Sequence, residues 1–176
     1  MSHKILLKKT CSIYASDLHL ATIMFPYINK ELREQAMVKT ILENSIESSM
    51  EKVISHTTIH PETEEKIKQI DWKKTTIEKI KQTLNEIEKE LKEKDKIDII
   101  VSGSNFFIDK VNQLVDVWIK ANLEEIQHDN KILNVVNCYH LKQNNEIEDI
   151  MHNHEYILRT AGIQEIFEKE NLKKAN

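Results

Sequence analysis

The chain has 176 residues, of which 40% are hydrophobic and 31% charged, with a formal net charge of −4. That length suits one domain with a core large enough to need no staple, and the negative balance argues against non-specific nucleic-acid binding, which needs a positive surface to displace counterions from phosphates. Only two glycines occur, Gly103 and Gly162, so no Walker loop or dinucleotide fingerprint can be written, and ATPase, GTPase and Rossmann-type dehydrogenase functions fall with them.

Along the chain, Thr10 to Ala15 reads as a first strand. Ser16 or Asp17 then caps a helix with Leu18, Ala21, Phe25, Ile28 and Leu32 on one face. Pro26 falls inside it and predicts a kink or an early break. Ala36 to Leu42 is a short strand, and Asn44 with Glu47 caps a helix presenting Ile46, Met50, Val53 and Ile54. His56 to Pro61 is a loop or edge segment, and Ile67 to Trp72 a weak strand. Thr75 and Glu78 make a capping box for a helix running to about Lys94, with Ile77, Ile80, Leu84, Ile87 and Leu91 as its apolar seam. Two heptads are too few to specify a coiled coil, so the seam predicts a surface helix laid on a sheet.

Ile97 to Ser102 and Ile132 to Tyr139 are near-continuous apolar runs, the pattern of strands covered on both faces. Between them, Ser102-Gly103-Ser104-Asn105 turns the chain into a helix with Phe107, Val111, Leu114, Val115, Trp118 and Ile119 on a wide apolar face. A short helix around Glu146 to Met151, a strand at Tyr156 to Leu158 and a terminal helix around Gln164 to Glu170 complete the reading. Strands separated by helices imply an α/β fold: a mostly parallel central sheet of about five or six strands, flanked by helices in one three-layer domain over residues 1–176.

The candidate chemistry is sparse. Cys11 and Cys138 make neither a disulfide framework nor a metal knuckle and read as buried reduced thiols. Cys138, His140, His152 and His154 contain possible zinc ligands, but their spacing matches no common zinc pattern. Ser102 or Cys138 could serve as a nucleophile only if a histidine such as His140 or His154 approached it, and the glycine-flanked serine turn of hydrolases is absent. The turn Ser102 to Asn105 joins a strand end to a helix N-terminus, where free amides could receive a carboxylate or other small anion. No metal and no cofactor is expected. The N-terminal apolar run is too short for a signal peptide and no segment reaches the ~20 apolar residues of a membrane span, so a cytoplasmic protein without membrane contact is expected.

With Ile100-Val-Ser-Gly103 and Asn137-Cys-Tyr139 on successive strands, the chain resembles the MEDS family of sensory domains, considered degenerate relatives of RecA-like ATPases. The similar features run in order: a Tyr14-bearing opening strand, a helix containing Phe25-Pro-Tyr-Ile28, the Val-Ser-Gly turn after a long helix, the Cys-Tyr strand, and His154 ahead of an apolar strand. Glu155 stands where that family usually has proline. The resemblance implies a non-enzymatic sensory domain that binds a small, partly apolar ligand and signals through a protein partner. It implies Tyr14, Ser102, Gly103, Cys138, Tyr139 and His154 as pocket residues. The competing reading is an interaction or homodimerisation module working through the Ile77 to Leu91 helix or another exposed apolar face.

Overall fold

A computed structural model describes residues 5–122, 131–143 and 147–166. It contains six strands, β1 (Leu6–Tyr14), β2 (Met37–Leu42), β3 (Lys96–Gly103), β4 (Ile132–His140), β5 (Tyr156–Arg159) and β6 (Gly162–Glu165). The α-helices are α1 (Asp17–Arg33), α2 (Glu47–Ser55), α3 (Pro61–Gln69), α4 (Ile77–Glu90), α5 (Asn105–Asn122) and α6 (Ile147–His152).

The sheet order is β2-β3-β4-β1-β5-β6, parallel throughout except for the antiparallel β5–β6 pair. From β1 the chain crosses to the far edge through α1, then steps back through β3 and β4 and passes β1 to reach β5. One crossover hand puts α1 on one face and α4, α5 and α6 on the other, while α2 and α3 pack beside α1 on the first face. The cores agree. Leu20, Met24 and Ile28 of α1 pack with Ile67, Val38, Ile100 and Val136 on the first face. Residues of α4, α5 and α6 pack with Ile97, Ile99, Val101, Leu133 and Val135 on the second. This is the three-layer arrangement that the apolar runs of β3 and β4 require.

Several local expectations change. Pro26 does not end α1, which runs on to Arg33 with Pro26 on its exposed side, where water can serve the carbonyl that proline leaves without a donor. The helix ends in a Schellman arrangement: Ala36 N–H donates to Glu31 O at 3.0 Å and Gln35 N–H to Leu32 O at 3.2 Å. Gln35 takes the left-handed position there, at φ 67°. Ile67–Trp72 is not a strand; Ile67 belongs to α3, and the indole N–H of buried Trp72 donates back to its carbonyl at 3.2 Å. Asn44 does not cap α2; the hydroxyl of Ser45 accepts from Glu47 N–H instead, at 3.3 Å. Thr76, not Thr75, caps α4, because Thr75 is engaged with β2. Of the terminal helix expected from Gln164, residues 162–165 form β6, and residues 167–170 lie outside the described ones. The two-residue turn at Thr160-Ala161 delivers Gly162 at φ 107°, a conformation glycine adopts without strain.

The α4 seam is spent inside the protein. Ile80, Leu84, Ile87 and Leu91 are buried in the second core, while Ile77 is 76% exposed. Among the described residues, no helix is long and apolar enough to cross a membrane.

Candidate functional site

The carboxyl ends of β1, β3 and β4 bring some of the expected site residues together and separate others. Because side chains alternate across a strand, Tyr14, Ser102 and Cys138 face α1, whereas Tyr139 and Asn137 face the other layer. The Tyr14 and Ser102 hydroxyls lie 3.3 Å apart in a buried contact, and burial raises the Tyr14 phenol above its ordinary pKa. Ser102 and Cys138 are register partners on adjacent strands. Cys138 is fully buried, which pushes its thiol far above the usual range, and its Sγ lies 3.8 Å from the Val136 carbonyl. That is the environment of an inert thiol.

On the opposite face, His154 is held by both ring nitrogens. Nδ1 is 2.7 Å from the Ile150 carbonyl, which can only accept, so Nδ1 carries the proton. Nε2 then accepts from the Asn137 amide at 3.1 Å. Asn137 and Asn112 exchange reciprocal amide bonds of 2.8 and 3.1 Å, so Asn137 uses both donors and its acceptor. The Tyr139 ring stands edge-on to His154, with centroids 5.8 Å apart. A sheet thus separates His154 from Ser102 and Cys138, which leaves it unable to act as base for either. His140 shares the face of Cys138 but packs edge-on against Tyr14, at 5.2 Å between centroids. Among the described residues, no group of three or more His, Cys, Asp or Glu side chains could hold a metal ion.

The anion position at the Ser102 to Asn105 turn is filled from within. Glu43, which follows β2, accepts from Ser104 N–H at 2.8 Å and from the Ser104 hydroxyl at 2.9 Å. Gly103 is what admits it: a Cβ there would stand 2.5 Å from Glu43 Oε2 and 2.7 Å from the Phe107 ring. The turn does bind a carboxylate, and the carboxylate is the chain's own.

The expected residues are thus divided by the sheet, with Tyr14, Ser102 and Cys138 on the α1 side and Tyr139 and His154 on the other. A cavity of about 340 Å³ opens beside them, at the carboxyl ends of β1 and β5. Ile13, Ile23, Ile147 and Met151 supply apolar wall; His19, Arg159 and Thr160 supply polar groups. It lies where α1 and α6 cover opposite faces of the sheet, one strand away from the β4–β1 switch point. Arg159 is exposed and enters no ion pair among the described residues. His19 Nδ1 accepts from Ala15 N–H at 2.9 Å, which fixes the ring over the start of α1.

A buried polar cluster lies deeper, nearer the amino ends of the strands. Asp98 Oδ1 accepts from the Tyr27 hydroxyl at 2.6 Å and from the Asn134 amide at 3.0 Å, and Asn134 Oδ1 accepts from Thr10 at 2.9 Å. Glu31, one turn beyond Tyr27 on α1, is also buried, and its Oε2 lies 2.6 Å from Lys96 Nζ, a charge contact without hydrogen-bond alignment. Asp98 Oδ2 is buried with no donor. Burial, and then the neighbouring Glu31 carboxyl, push Asp98 up to about 7. When protonated, Asp98 is itself a donor at the buried carboxyl, on the side of the neighbouring Glu31 that faces Lys96. Burial and the nearby Asp98 charge hold the Tyr27 phenol protonated. Sequence reasoning passed over this cluster, although a carboxylate inside the apolar run Ile97-Asp98-Ile99 was its signal.

No family model, no curated protein and no solved structure matches the chain.

Proposed function

We propose that this chain is a non-enzymatic sensory or regulatory domain, which binds a small, partly apolar ligand and signals through a protein partner. The ligand occupies the cavity between α1 and α6. The observation that carries this reading is the lining: mostly isoleucine and methionine wall, with Arg159 and His19 to orient one polar end. The ordered likeness to the MEDS sensory family supports it, as does the glycine-free Ala15-Ser16 connection from β1 to α1, which has no phosphate cradle.

The test is native mass spectrometry of purified protein beside its Met151→Trp variant, which fills the cavity. A small molecule retained by the first and lost by the second is expected. Ligand at a hundred times its Kd raises stability by about 2.7 kcal/mol, so a screen of small amphipathic carboxylates should find a melting shift. Absence of both a retained molecule and any shift refutes the reading.

A homodimer reading draws on a different surface. The outer side of α5 leaves Phe106 (73% exposed), Leu114 and Val117 uncovered at helical spacing. Lys110 lies among them, and an antiparallel α5 pairing would set it near Asp116 of a second copy. Sedimentation that depends on concentration, and is abolished by Val117→Glu, would favour it.

A further inference from the structure

The first-face and second-face helices do not close over the outer edge of β2. Between them lies a trough of about 420 Å³, with residues Met37 to Thr40 along its floor and α3 and α4 as walls. In a parallel ladder, alternate residues of an edge strand turn both peptide groups outward. Glu43 N–H donates inward to Ser102 O at 2.9 Å, so the odd positions face β3 and Val38, Thr40 and Leu42 face out. Leu42 is served: Thr75 N–H donates to its carbonyl at 2.8 Å, and its own N–H donates to the Thr75 hydroxyl at 2.9 Å. No backbone bond among the described residues reaches the outward groups of Val38 or Thr40.

Val38 and Thr40 are only 6% and 8% exposed, so these groups lie at the foot of the trough, where unmade edge bonds are a template for another strand. The walls decide which. A second β2 edge carries walls of its own and cannot enter, whereas a single extended segment of four or five residues can, at about 3.3 Å per residue. The charge decides further. Lys39, Lys66, Lys79 and Lys94 line the trough against Asp71 and Glu86, an excess of cations on a chain whose net charge is −4. Lys39 and Lys79 are tied to Glu86 and Asp71 at 2.9 and 3.0 Å, which holds the walls in place; Lys66 pairs with Glu62 at 3.3 Å within α3, which leaves Lys94 as the surplus among the described residues.

We infer that the β2 trough is a docking site for an extended acidic peptide segment of a partner protein, added as an extra strand against Val38 and Thr40. It is a site separate from the α1–α6 cavity and stands whether or not that cavity takes a ligand.

The probe is a fluorescent, end-capped hexapeptide of alternating glutamate and valine, measured by anisotropy. Its backbone N-methylated form and a lysine–valine counterpart serve as comparisons. Binding of the acidic peptide is expected, with the N-methylated form at least roughly tenfold weaker through lost strand bonds. Hydrogen exchange at the Val38 and Thr40 amides should slow on binding. The Lys66→Glu/Lys79→Glu variant should prefer the lysine–valine peptide. The inference is overturned if the acidic peptide fails to bind at millimolar concentration, if N-methylation makes no difference, or if the two amides stay unprotected.

Discussion

Replacing Asp98 by asparagine is the sharpest probe of the buried acid cluster. In the folded protein Asp98 titrates at about 7, against 3.8 for an unperturbed group. The folded state therefore binds more protons than the unfolded state throughout that window. Stability must fall as pH rises from about 4 to about 7, then level off. A rise of that size corresponds to about 4 kcal/mol between the two limbs, a ceiling because the two buried carboxyls interact. Asparagine keeps the shape and the acceptor for Tyr27 and Asn134, and its amide supplies the donor that protonated Asp98 otherwise provides. Asp98→Asn should be near neutral at pH 5 and more stable than the natural protein by about 2 kcal/mol or more at pH 8. Urea unfolding at a series of pH values, fitted with a common m-value, measures it. Equal pH slopes for the two proteins would refute the raised titration of Asp98.

Other outcomes follow from the same geometry. Gly103→Ala forces a methyl against Glu43 and Phe107 and should cost about 1–3 kcal/mol in thermal or urea unfolding. Gln35→Gly relieves the left-handed position that closes α1 and should add about 1 kcal/mol to stability. Both cysteines are fully buried, so a thiol reagent should label neither Cys11 nor Cys138 until the protein is unfolded by urea; fast labelling in the native state would contradict the packing. Leu84→Glu buries a charge in the second core and should unfold the domain, seen as loss of cooperative melting rather than as dissociation of an oligomer.

What the sequence made legible was set by burial. β3 and β4 read correctly because both faces demand apolar residues, so the run itself is the signal. The terminal helix failed because β6 is a short edge strand: Gln164 and Glu165 are exposed, and only pairing with β5 makes them a strand. Ile67, Ile70 and Trp72 misled because their spacing of three and two fits no single period. The site was less legible than the fold. Tyr14 and Ser102 do meet, but the shared direction of Ser102 and Cys138, and the placing of His154 behind the sheet, depend on strand register. The occupation of the Ser104 amide by Glu43 joins residues sixty-one positions apart, and no local pattern announces it.

The central place of β1 has a consequence in time. Its first residue pairs with Ile132, and its last with His140, so about 126 residues must be made after Leu6 before the partner strand exists. At 5–20 residues per second, that is a wait of roughly 6–25 s for a nascent chain. Through that interval Leu6, Leu7, Cys11 and Ile13 form an unpaired β-prone segment beside a ribosome. Lys8 and Lys9 sit inside it, and in the finished protein one lies over the Tyr156 ring and the other binds Asp116 at 3.3 Å. Charges set inside an apolar, β-prone segment are the pattern that discourages pairing with a wrong chain before such partners arrive.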